Sequence, residues 1–176
     1  GPVPLIDLSN PAAPQAYPDP IRFKASALSV RFDAAGTSIV ATSEERNVEV
    51  ADISDRRHPR RTIELSGPAG QLYSAGFSAD GKRVIAGGSN SEVWVWNLAD
   101  GQADVVLRSY PGRVYDVRFL PGDRIVAAGQ GGFMETWTLG PAQIIDEQCA
   151  HGADPITPEE WRTYIRGLDY TSPCRR

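Results

Sequence analysis

One property limits what this chain can fold into more than any other: its sequence repeats at intervals of 41 to 45 residues. Leu5-Ile6-Asp7-Leu8-Ser9-Asn10 runs into Pro11, with Pro14 close behind, and Ala51-Asp52-Ile53-Ser54-Asp55 is followed by Pro59. Asp7 and Asp52 are 45 residues apart, and so are Pro14 and Pro59. Trp94-Val95-Trp96-Asn97-Leu98 continues the series, and Trp137, in Glu135-Thr136-Trp137-Thr138-Leu139, lies 41 residues beyond Trp96. A second element keeps step with the first. Leu28-Ser29-Val30-Arg31-Phe32-Asp33-Ala34-Ala35-Gly36 matches Tyr73-Ser74-Ala75-Gly76-Phe77-Ser78-Ala79-Asp80-Gly81 and Val114-Tyr115-Asp116-Val117-Arg118-Phe119-Leu120-Pro121-Gly122. Phe32, Phe77 and Phe119 are spaced by 45 and 42 residues. Each leads through a glycine-containing turn into a short apolar run: Ser38–Ala41, Arg83–Ala86 and Arg124–Ala128.

These segments are short, β-branched or aromatic, and bounded by Gly, Asp, Asn and Pro, which is the signature of strands. The expected fold class is therefore all-β. The outermost strand of each unit is expected around Ile21–Lys24, Thr62–Leu65, Val105–Leu107 and Gln143–Ile145. A period of about 40–45 residues carrying four strands is that of a propeller blade. Over residues 1–147 the repeat resembles the WD40 family, most clearly at Asp80-Gly81 and Val93-Trp94-Val95-Trp96-Asn97. The departures are specific. Neither His58 nor His151 occupies the family's Gly-His position, Ser89-Asn90-Ser91-Glu92 lacks its turn aspartate, and Ala51 stands in place of its tryptophan. Packing, more than the family's polar network, is expected to hold such blades together.

Blade starts near 27, 72 and 114 give three repeats, preceded by the last two strands of another. About three and a half blades do not close a ring, since WD40 propellers use about seven. The chain is thus expected to be the C-terminal part of a larger propeller, its apolar end faces covered by a partner. That partner is expected to be the missing blades on an upstream fragment, or a second copy of this chain. Gly1-Pro2 reads as a protease scar or as the product of a nick.

Residues 148–176 form the expected tail. Thr157 as N-cap, Pro158 at the first helical position and Glu160 closing a capping box predict a helix over 157–167. Trp161, Tyr164, Ile165 and Leu168 make one apolar stripe, expected to dock on the propeller. Cys149 and Cys174 fit no zinc spacing; two free thiols in a reducing cytosol, or a disulfide pinning the tail, are both open. The order Cys149, Thr157-Pro158-Glu159-Glu160-Trp161, Tyr164, Tyr170, Pro173-Cys174 is similar to the tail of many bacterial WD40 proteins, often actinobacterial signalling ATPases of the STAND type. The resemblance implies the sensor end of such a protein.

Catalysis needs a nucleophile, a base and an orienting group in convergence. Cys149 and His151 are near one another, but no hydrolase signature surrounds them, so no catalytic residue and no enzyme is expected. Gly87-Gly88 and Gly129-Gln130-Gly131-Gly132 lack the Lys-Ser/Thr of a phosphate loop and are read as turns. Asp52-Ile53-Ser54-Asp55 lacks a calcium loop's glycine and glutamate. No cofactor and no metal is expected. The net charge of −4 excludes a general nucleic-acid binder, and no apolar run reaches the roughly 20 residues that span a bilayer. With the cysteines read as free thiols, a cytoplasmic place is the expectation.

Two groups are candidates for protein binding. Tyr73, Tyr110, Arg113 and Tyr115 cluster at the starts of the first strands, where Tyr and Arg serve as interface anchors. The run Arg56-Arg57-His58-Pro59-Arg60-Arg61 offers Arg56, Arg57, Arg60 and Arg61 to an acidic partner, or to solvent alone. The function expected is a non-catalytic sensor and interaction module. A structural scaffold for an upstream kinase or peptidase is the alternative.

Overall fold

In a computed structural model, the described residues are 2–109, 112–150, 157–164, 169–170 and 174. The chain opens with a ribbon of four two-residue strands: β1 (Pro2–Val3), β2 (Ile6–Asp7), β3 (Gln15–Ala16) and β4 (Ile21–Arg22). β1 pairs with β4 and β2 with β3, and Tyr17 N–H donates to the Leu5 carbonyl at 2.9 Å between the two pairs. Pro4 and Pro20, which have no N–H to give, fall where this hairpin is broken.

The first full blade is β5 (Ala27–Phe32), β6 (Ser38–Ser43), β7 (Val48–Asp52) and β8 (Arg60–Leu65), antiparallel and in sequence order. The second is β9 (Leu72–Phe77), β10 (Arg83–Gly88), β11 (Glu92–Asn97) and β12 (Ala103–Arg108). The third, among the described residues, has three strands: β13 (Val114–Leu120), β14 (Arg124–Gly129) and β15 (Met134–Thr138). This is the all-β architecture of about three and a half blades that the repeat implies. β9 lies alongside both β5 and β13, so the first strand of each blade is the inner one, and β4 neighbours β8 on the outside.

The outer strand expected at Gln143–Ile145 is instead part of a helix, α1 (Pro141–Ala150). Pro141 sits where a helix tolerates proline, and Ile144 N–H donates to the Gly140 carbonyl at 3.0 Å. Ala142, Gln143, Glu147 and Gln148 are good helix formers, which outweighs the two adjacent isoleucines. α1 runs across residues 147 and 148, where the sequence places the start of the tail.

Period-two alternation assigns each strand to two different interfaces. Ile39 and Ala41 of β6 join Ile21, Phe23, Ala51 and Ile53 against the ribbon, while Val40 turns the other way. Val40, Val48, Val50 and Leu65 pack on Leu72, Ala75, Val84, Ala86 and Trp96 between the first and second blades. Ile85, Val93 and Val95 pack on Val114, Val117, Ile125 and Ala127 between the second and third. Trp94 and Trp96 share one face, their rings stacked at 5.7 Å, with Val93 and Val95 on the other, as the alternation requires.

Gly87 and Gly88 lie within β10 and not in a turn. The reason is close approach: a Cβ on Gly87 would come within 2.6 Å of Val114 and 2.8 Å of Val117 on the next blade. Gly129 likewise ends β14, whereas Gly131 and Gly132 have φ of 83° and 78°, the conformation that favours glycine.

Polar bonds also join the ribbon to the first blade, more than packing alone would require. Buried Glu49 accepts from the Lys24 backbone N–H at 3.1 Å and from Arg61 Nη1 at 3.0 Å. Glu64 accepts from Asn47 Nδ2 at 3.0 Å and pairs with Lys24 Nζ. These carboxylates give the junction a polar link beside its apolar packing.

In the tail, α2 covers Pro158–Tyr164. Its capping box is formed: Glu160 N–H donates to Thr157 Oγ1 at 3.2 Å, and Thr157 N–H to Glu160 Oε2 at 2.8 Å. Tyr164 is 78% exposed, while Trp161 meets Tyr170 edge-on at 5.9 Å. Ile165, Gly167 and Leu168, the rest of the expected stripe and stop, fall outside the described residues. Cys149 and Cys174 form a disulfide, with Cα atoms 5.5 Å apart, so the free-thiol reading is set aside.

Candidate protein-interaction surfaces

Each inner strand is interrupted at the same place. The pairing of β5 with β6 shifts register between Ala27 and Ser29, that of β9 with β10 at Gly87 and Gly88, and that of β13 with β14 between Val114 and Asp116. The residues left over are Leu28, Tyr73 and Tyr115. A bulge of this kind re-aims a side chain out of the ladder. Tyr115 is accordingly 51% exposed, and its ring centroid lies 6.0 Å from that of half-buried Tyr73. Arg113, exposed, precedes β13 at the same end, and its carbonyl accepts Gln130 N–H at 2.8 Å. Tyr110 lies outside the described residues.

Beside the two tyrosines stands a charged layer that the sequence reading missed. Ser74 Oγ donates to Asp116 at 2.5 Å, Arg118 approaches the same carboxylate at 3.1 Å and Arg31 at 3.5 Å. Burial raises the Asp116 pKa, but the Ser74 hydroxyl and the two guanidinium groups outweigh it and hold the carboxyl below its usual value. The signal was present in the repeat: Arg31 and Arg118 occupy one register position of the first and third blades, where the second carries Gly76.

The basic run divides between two hollows. Arg56 lines one of about 300 Å³, together with Leu5, Ile6, Leu8, Phe32 and Ile53. His58, Arg60 and Arg61 line another of about 260 Å³, with Asp19, Pro20, Arg22 and Pro59. Arg57 stays in the exposed turn, where its N–H donates to Asp55 at 3.0 Å. His58 Nδ1 also bonds Asp55, at 3.0 Å; that bond and the Arg57 N–H lower the Asp55 pKa. Asp52-Ile53-Ser54-Asp55 is a turn closed by Ser54 N–H to Asp52 at 2.9 Å.

The first hollow is the mouth of an apolar rim. Ile6, Leu8 and Phe32 are 55%, 62% and 61% exposed. Phe77 and Phe119, at the register of Phe32 in the next blades, are packed into the two inter-blade cores.

With this geometry in view, the likeness to known proteins is informative. The chain is 25% identical over 151 residues to the apoptotic protease-activating factor 1 of Rattus norvegicus, a WD40-containing protein. It carries a WD40-like repeat. The match covers 78% of this chain and 12% of that protein. No family model matches the chain. Among the described residues, no group of three or more His, Cys, Asp and Glu side chains is placed to hold a metal ion. Cys149, the one thiol beside a histidine in sequence, is bonded to Cys174. No helix among the described residues is long and apolar enough to cross a membrane.

Proposed function

We propose that this chain is a non-catalytic protein-interaction and sensor module, the C-terminal portion of a β-propeller in a bacterial multidomain signalling protein of the STAND type. The observation that carries the proposal is the apolar rim of Ile6, Leu8 and Phe32 around an open hollow. Large apolar side chains grouped in this way are a site for another protein surface. The occupant proposed is a further blade, supplied by an upstream fragment or a second copy, with residues 1–147 as the propeller part and 148–176 as its tail. The tyrosine pair Tyr73 and Tyr115, turned outward by the bulges, with Arg113 beside it, is proposed as a second contact, away from the rim. The bonded cysteines remove the free-thiol argument for a cytoplasmic place, which now rests on the STAND resemblance alone.

The test is solution mass by light scattering on a sizing column. A mass near twice 19.1 kDa, or that of this chain with an upstream fragment added, is the expected result, lost in Phe32→Ser. A compact monomer unaffected by added upstream fragment would overturn the proposal.

A further inference from the structure

The groove between the ribbon and the first blade has a definite chemistry. It lies between two neighbouring strands, β4 and β8, and a proline precedes each: Asp19-Pro20-Ile21-Arg22 leads into β4, and His58-Pro59-Arg60-Arg61 into β8. Arg22 and Arg61 each stand two residues beyond a proline, on adjacent strands. Arg61 is anchored from behind by buried Glu49 at 3.0 Å, which fixes its guanidinium without filling the groove. Arg60 has Asp52 only at 3.8 Å, and no carboxylate lies within ion-pair distance of Arg22 among the described residues. Among the described residues, Asp19 is the one carboxylate on the wall. Pro20 and Pro59 supply an apolar lining with no N–H to satisfy.

We infer that this groove binds an acidic peptide segment of a protein partner, its carboxylates seated between Arg22, Arg60 and Arg61. The inference rests on the interaction-module reading and names the chemistry of one partner. Three arginines lining one hollow from two strands suit carboxylates, which guanidinium groups meet through paired N–H donors. The pocket is short and local, and the chain around it carries a net charge of −4. A nucleic-acid backbone needs a long basic track, whereas a brief acidic stretch in an extended peptide does not.

The experiment is fluorescence anisotropy on the full chain with a labelled glutamate-rich peptide, its glutamine counterpart, and an oligothymidylate of equal charge. The glutamate peptide is expected to bind, more weakly as salt is raised. Arg22→Gln and Arg60→Gln should each weaken it about 5- to 10-fold. Arg108→Gln, an equal charge change on the exposed face of β12, should alter it less than twofold. Both groove arginines are exposed, so circular dichroism and solution mass should stay as in the parent. Equal binding of the glutamine peptide, tighter binding of the oligonucleotide, or equal weakening by Arg108→Gln would overturn the inference. Failure here leaves the solution mass and its dependence on Phe32 untouched, so the two readings fail separately.

Discussion

Phe32 and Phe77 occupy the same register of consecutive blades and have opposite surroundings. Phe77 is packed against the core shared by the first and second blades; Phe32 projects beside Leu5 and Ile53 with most of its ring in water. Sequence and local strand geometry are alike at the two positions. What differs is whether a full blade stands in front of the ring. The ribbon covers Ile39, Ala41, Ala51 and Ile53 but not Phe32, because its strands are two residues long and broken at proline. A propeller side chain is therefore buried by its neighbouring blade and not by its own.

The comparison gives ordered expectations. Trp96→Ala removes the largest fully buried side chain between the first and second blades and should cost about 3–5 kcal/mol in urea unfolding. A loss below that of a surface substitution would mean that the sealed interface carries little of the stability. Gly87→Val drives methyl groups into Val114 and Val117 and should cost about 1–3 kcal/mol, read as a drop in melting temperature. Phe77→Ala should lose about 2 kcal/mol, and Phe32→Ala less than about 0.5 kcal/mol in the chain measured alone. Equal losses in that pair would erase the distinction drawn here.

The smallest effect concerns acid. The Asp116 pKa is lowered in the fold, so its contribution is present above the unfolded carboxylate value of about 3.9 and fades as pH falls through the lower folded value. Asp116→Asn should therefore narrow the stability gap between parent and variant at low pH, checked by urea midpoints from neutrality downward. A gap independent of pH would remove the carboxylate from the account.

Much of this was legible in the residues. The three phenylalanines marked the inner strands, the glycines after them marked turns, and Thr157 with Glu160 marked the start of α2. The bulges at Leu28, Tyr73 and Tyr115 were not, because a bulge is a relation between two strands and neither strand records it alone. Gly87 was misread as a turn for a related reason: the atoms that forbid a side chain there belong to Val114 and Val117, on another blade. The groove needed Arg22 beside Arg60, residues that only the packing of β4 on β8 brings together. At Gln143–Ile145 two β-branched residues in a row outweighed, in reading, the helix formers around them.

The two-faced strands have a consequence for how the molecule loosens. The apolar side chains of β10 divide between two interfaces, with Val84 and Ala86 facing back and Ile85 facing forward. Stability in such an array is a sum of nearest-neighbour couplings, and opening begins where a unit has a neighbour on one side only. Amide exchange should then follow a gradient along the stack. Protons on β10 and β11 would be the last to leave, and those of the ribbon and of β15 among the first. A partner seated on the Phe32 rim would make itself felt as slowed exchange in β5 and β6, before any contact had been seen.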